Sequence, residues 1–190
     1  MKTAITGGIG SGKSYVCRLL NKQGIDIYDC DAAAKRLMHS SAELRQQLTQ
    51  LIGPETYLSD GRLNKAAVAA YLLSSEDHAK AVDNIVHPAV AADFEASGME
   101  WMECAILFES GFDRLVDRVV VVTAPEEVRL SRIMKRDGIT RDKALEWLSR
   151  QWPQEAVRRL ADVEIVNDGV CSLDDQIGAL LHLHHDNKTN

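Results

Sequence analysis

The chain has 190 residues, 45% of them hydrophobic and 26% charged, with a net charge of −6. A chain of this length and composition can bury a core of its own, which excludes fibrous, disordered and disulfide-stapled scaffolds. The acidic balance argues against a protein that coats nucleic acid or anionic membrane through its whole surface, so any anion is bound locally.

The first apolar run, residues 3–6, ends on glycines and reads as a buried strand, followed by a helical stretch from residue 13 to about 23. A second strand is predicted at 25–28. From there to residue 103 no further strand is expected, and Ala, Leu, Glu, Lys and Gln dominate. Helices are predicted at 41–51 and 64–73, with Ser74 or Ser75 capping a third. Residues 104–108, 118–123 and 163–166 complete five strands, with valines 119 to 122 the clearest buried run. Continuously apolar strands alternating with helices predict a parallel sheet covered on both faces, in an α/β fold of three layers.

Residues 126–159 carry nine Lys or Arg against six Asp or Glu and read as a basic helical hairpin. The histidines 182, 184 and 185 read as a frayed tail. Cys17, Cys30, Cys104 and Cys171 stand far apart, which suggests neither a zinc site nor a disulfide framework and fits a reducing cytoplasm. No signal-like or membrane-spanning apolar run occurs, so a cytoplasmic protein without membrane or nucleic-acid partners is expected.

Gly7-Gly8-Ile9-Gly10-Ser11-Gly12-Lys13-Ser14 satisfies Gly-x-x-x-x-Gly-Lys-Ser between a predicted strand and a predicted helix. A chance match in a chain of this length has a likelihood of about 1% before that context is required. Glycines let successive N–H groups approach phosphate oxygens at a helix N-terminus. Gly8, Gly10, Ser11, Gly12, Lys13, Ser14 and Tyr15 are therefore candidate ATP-binding residues. Lys13 would reach the β- and γ-phosphates, and Ser14 is the candidate ligand of Mg²⁺. A GTPase switch is disfavoured, because Asn21-Lys22 continues Gln23-Gly24 and the one Asp-x-x-Gly, Asp175 to Gly178, lies far away in a predicted helix.

Asp29-Cys30-Asp31 follows the second strand, at the edge where open parallel sheets bind ligands. A carboxylate here can take a proton from an attacking hydroxyl or hold Mg²⁺ through water, or Asp31 can cap the helix that follows. His87-Pro88 reads locally as a helix break beside a surface histidine, and Glu109, ending an apolar strand, as a solvent-facing loop acid or as one that joins the Mg²⁺ water shell or orients a basic residue. Arg132 and Arg136 lie four apart on one helical face, suited to a lid that brings guanidinium groups to ATP phosphates. Asn167-Asp168-Gly169 reads as a turn.

These motifs, in this order, resemble the dephospho-CoA kinase family over nearly the whole chain. The resemblance rests on Thr6 through Ser14, Asp29-x-Asp31, His87-Pro88, Leu107-Phe108-Glu109, Arg132-x-x-x-Arg136-Asp137-Gly138, and Ala161-Asp162 with Ile165-x-Asn167. It implies a P-loop kinase that uses ATP and Mg²⁺ to phosphorylate the ribose 3′-hydroxyl of dephospho-CoA, the last step of coenzyme A synthesis. The implied roles are Asp31 as general base, His87 and Glu109 on the substrate side, Lys13 and Arg136 in catalysis, Arg132 on ATP and Asn167 near the adenine. One P-loop kinase domain is then expected, with a core of residues 1–31, 85–128 and 160–190, a helical substrate-binding insertion at 32–84 and a lid at 129–159. A monomer or small homo-oligomer would serve this role.

The chain departs from the family pattern at three places. Where the lid usually continues Arg-x-x-x-Gln, Trp147 stands four before Gln151, and Arg150 is the nearest cation that can substitute. Tyr15 replaces a usual Thr, offering its backbone N–H instead, and Ala105 replaces a frequent Pro. Two other readings compete: a P-loop kinase of another nucleotide or small hydroxylated metabolite, and a nucleotide-dependent binding switch.

Overall fold

The computed structural model describes residues 1–186. Residues 187–190 of the expected core lie outside the described residues, as does the side chain of His185. Five strands, β1 (Thr3–Thr6), β2 (Ile27–Asp29), β3 (Trp101–Glu103), β4 (Arg118–Thr123) and β5 (Val163–Val166), form one sheet in the order β2-β3-β1-β4-β5. β1 runs parallel to both neighbours, with Ile5 opposite Glu103 on one side and Val120 on the other, and β4 runs parallel to β5. The central strands are buried on both faces, which is why they read as unbroken apolar runs.

Nine α-helices are present among the described residues: α1 (Lys13–Lys22), α2 (Cys30–Ser40), α3 (Ala42–Ile52), α4 (Lys65–Ser74), α5 (Glu76–Ser97), α6 (Glu126–Asp137), α7 (Arg141–Ser149), α8 (Gln154–Leu160) and α9 (Leu173–Asp186). Val16 and Leu20 of α1, with Ile177 and Leu180 of α9, pack on Ile5, Val120, Val122 and Ile165 of the sheet. Ala4, Met102 and Val121, pointing to the other face, are equally buried. None of the described helices is long and apolar enough to cross a membrane.

The chain divides into two compact units, one of Met1–Tyr28 with the chain from Met99 onward, the other Asp29–Gly98. The second unit holds α2 to α5 and reaches beyond the expected insertion of 32–84, because α5 does not break at Pro88. Proline in a helix interior costs about 3 kcal/mol. Val82, Val86, Val90 and Phe94 form a buried stripe on both sides of it, and each such side chain contributes about 1.5–3 kcal/mol, so packing outweighs the lost hydrogen bond.

Three further expectations are corrected. The third strand is Trp101–Glu103, and residues 104–108 leave the sheet once Cys104 N–H has bonded Ile5 O at 3.0 Å. Leu107 of that stretch is buried in a turn, where its carbonyl accepts from Phe112 N–H, so its apolarity marked a buried turn and not a strand. His184 is no frayed residue: α9 carries it to 2% exposure against the Trp101 ring, with Nδ1 3.4 Å from Thr3 Oγ1. The basic segment forms three helices, α6 to α8. Gly138 ends the first in the left-handed conformation, and Thr140 caps the second.

Candidate active site

The loop between β1 and α1 is held from behind. Ile9 O accepts from Arg129 Nε at 2.9 Å, Gly10 O from Arg132 Nη1 at 3.3 Å, and Ser11 O from both Arg132 Nη1 at 3.2 Å and Asn167 Nδ2 at 2.8 Å. In a trans peptide the N–H points opposite to the preceding carbonyl. Gripping three successive carbonyls therefore turns the N–H groups of Gly10, Ser11 and Gly12 the other way. That of Ser11 closes on Gly8 O at 3.1 Å. Gly12 caps α1 at φ 90°, and a side chain there would run into the Asn167 amide, so only glycine fits.

At the start of α1 the two residues that the motif singles out meet one carboxylate. Lys13 Nζ forms an ion pair with Glu103 Oε1, and Ser14 Oγ donates to the same oxygen at 2.9 Å. Burial alone would push the Glu103 carboxyl up. The Lys13 hydrogen bond and charge, with bonds from Ser14 and Cys17, outweigh it and hold the carboxyl below its ordinary range. Glu103 comes from the end of β3, whose register sets it beside Ile5 just before the loop. The sequence reading passed over it, because the strand was expected to run on to Phe108 and present Glu109. The signal was present as an acid directly after Trp101 and Met102, ahead of a turn.

The other candidates fall into place separately. Glu109 lines a cavity against Gly7 and Gly8 with Phe108, Arg129, Gln151 and Trp152. Arg132 Nη2 also donates to Asn167 O at 3.0 Å and Oδ1 at 3.3 Å, so these two form one brace behind Gly10 and Ser11. Tyr15 gives its N–H to Gly12 O at 2.9 Å. Arg136 is 60% exposed and paired with Asp137, its Nη2 at 2.7 Å. Arg150 faces solvent and pairs with Glu146, while Trp147 packs with Leu130, Ile133 and Ile9 in the small core under α6 and α7.

Within the helical unit, Asp31 occupies the first turn of α2, but the cap is Asp29, whose carboxylate accepts from Ala32 N–H at 2.9 Å. Asp31 is thus not spent on capping. His87 lies on α5 with Nε2 3.5 Å from Asp83 Oδ1.

A parallel sheet whose central strand feeds a glycine loop with Lys and Ser at the following helix start, faced by a neighbouring strand's acid, defines the P-loop kinase class. The dephospho-CoA kinase family model matches residues 1–172. A dephospho-CoA kinase of Bacteroides fragilis is 38% identical over 188 residues, covering 95% of this chain and 91% of its own. A crystal structure from Thermus thermophilus superposes with a TM-score of 0.80 at 33% identity, over 98% of this chain and 97% of the other. The Campylobacter jejuni dephospho-CoA kinase shares the fold, with a TM-score of 0.68 at 22% identity over 98% of this chain and all of the other. The chain belongs to the dephospho-CoA kinase family.

Proposed function

We propose that this protein transfers the γ-phosphoryl group of ATP to the ribose 3′-hydroxyl of dephospho-CoA, yielding coenzyme A and ADP. The observation that carries the chemistry is the meeting of Lys13 and Ser14 with Glu103 beside the braced loop. Family membership supplies the acceptor.

The loop N–H groups that are not used within the loop, with Lys13, bind the β- and γ-phosphates, and the brace of Arg132 and Asn167 on the Ser11 carbonyl keeps the Gly12 N–H turned toward them. The hydroxyl oxygen attacks the γ-phosphorus, its proton passes to the Asp31 carboxylate, and the bond to the β-γ bridging oxygen breaks to release ADP. The Ser14 hydroxyl and Glu103 carboxylate are hard oxygen donors that would hold Mg²⁺. When bound, the ion would offset charge on the transferring phosphates. Lys13 leaves Glu103 for phosphate when nucleotide enters. His87 and Glu109 serve the acceptor side, and the protein works in the cytoplasm as a monomer or small homo-oligomer.

Incubation with ATP, Mg²⁺ and dephospho-CoA, followed by mass analysis, should show coenzyme A formed in step with ADP. ATP binding without any coenzyme A would overturn the acceptor assignment and point to another hydroxylated metabolite. ATP hydrolysis that ignores the acceptor would point to a binding switch.

A further inference from the structure

Arg129 stands in the first turn of α6, only 7% exposed, in a segment otherwise rich in solvent-facing cations. Nε is used on Ile9 O. Among the described residues its Nη nitrogens have no hydrogen-bond acceptor, and no carboxylate lies within ion-pair distance. Glu126, one turn earlier, adds charge without contact, and burial draws the guanidinium below its ordinary pKa. Its Nη nitrogens are not shut off from water, and Arg129 lines the cavity beside Gly8, Glu109, Gln151 and Trp152, so the unpaired edge is open to a ligand there. That edge is aimed over the phosphate loop: a Cβ on Gly8 would come 2.5 Å from Nη2.

A second observation falls in the same place. Gln151, at the turn after α7, puts its Oε1 2.7 Å from the Ile9 nitrogen, and that oxygen would be 3.2 Å from the same Gly8 Cβ. Because the donor is a main-chain N–H, the atom facing it must be the amide oxygen. A loop N–H and an unpaired guanidinium edge thus converge above Gly8, with a neutral acyl oxygen on the N–H. That is the arrangement an oxygen of a bound phosphate would take over.

We propose that Arg129 is a catalytic residue: its Nη edge, with the Ile9 N–H released by Gln151, binds the terminal phosphate of ATP and offsets the charge of its oxygens during transfer. The proposal rests on the phosphotransfer reading above. It gives to Arg129 the catalytic task that the sequence analysis expected of Arg136. The two share a face of α6, but Arg136 lies seven residues on, about 10 Å further along the axis, where it is 60% exposed and paired with Asp137.

The test titrates ATP and ADP with Mg²⁺ and no acceptor, by calorimetry, on the wild type, Arg129→Gln and Arg136→Gln. Arg129→Gln should lose about tenfold in affinity for ATP with ADP changed less than about threefold. Its kcat should fall about 10²-fold, with partial recovery in Arg129→Lys. An unchanged ratio of ATP to ADP affinity in a folded Arg129→Gln overturns the proposal. Should that variant not fold, ¹⁵N spectra of wild-type guanidinium groups, assigned through Arg129→Lys, decide: the Arg129 Nη signals must shift with a non-hydrolysable ATP analogue and not with ADP, and no difference overturns it. The calorimetric and ¹⁵N measurements omit dephospho-CoA and only the kcat comparison needs it, so a wild type that binds ATP yet makes no coenzyme A sinks the acceptor assignment and leaves this inference standing.

Discussion

In the helical unit, each helix starts on a side chain that accepts from the N–H three residues on: Asp29 from Ala32, Ser41 from Leu44, Asn64 from Ala67 and Ser75 from His78. The phosphate loop is held instead from far along the chain, by Arg129 and Arg132 from α6, Asn167 after β5 and Glu103 from β3. The difference follows from what each must leave open. A helix satisfies its own interior N–H groups and needs help only at its ends. A loop that keeps N–H groups for a ligand must have its carbonyls held by other parts of the chain, and carbonyls and amides alike then depend on tertiary packing.

Substitutions can break or sharpen this contrast. Lys13→Ala should cost the most, about 10³–10⁴-fold in kcat/KM, with far-UV circular dichroism unchanged. A loss below tenfold, read from coupled ADP release, would mean that the loop does not work through its lysine. Phe94→Ala, in the stripe that carries α5 past Pro88, should destabilise by about 3–5 kcal/mol in urea titration. If it costs under about 1 kcal/mol, packing is not what holds that helix through proline.

Asp31→Asn should lower kcat about 10²-fold while ATP affinity stays within about twofold, as for a lost general base. Equal losses in both would instead make Asp31 a nucleotide contact. The smallest effect is electrostatic. Glu103 titrates lower folded than unfolded, so its contribution is fully present above the unfolded value of about 4.3 and fades as pH falls through the lower folded one. Wild type should exceed Glu103→Gln by about 1–2 kcal/mol at neutral pH, measured without nucleotide. That gap should close on acidification below about pH 4, and a gap that persists there would locate the stabilisation elsewhere.

Where sequence reading fell short, a local signal met a tertiary demand. Apolar residues after Glu103 look like a strand because burial in a turn and burial in a sheet select the same side chains. His87-Pro88 looks like a break because the dipeptide carries no record of the valines packed on either side. Trp147 looks like a lost cation, yet its indole packs against the small core of Leu130, Ile133 and Ala144. His184 in a polar C-terminal stretch gives no hint that Trp101 will cover it.

The amino-acid order alone determined the loop of residues 7–14, the strand before it and the helix after it, since glycine positions, strand burial and helix start are settled over a dozen neighbouring residues. Four of the five strands, at 3–6, 25–28, 118–123 and 163–166, were legible to within two residues for the same reason. The tertiary structure alone decided which acid and which arginine face that loop. Glu103 is brought there by the register of β3 on β1 and Arg129 by its height on α6, and both follow from packing between segments some ninety residues or more away from the loop in sequence.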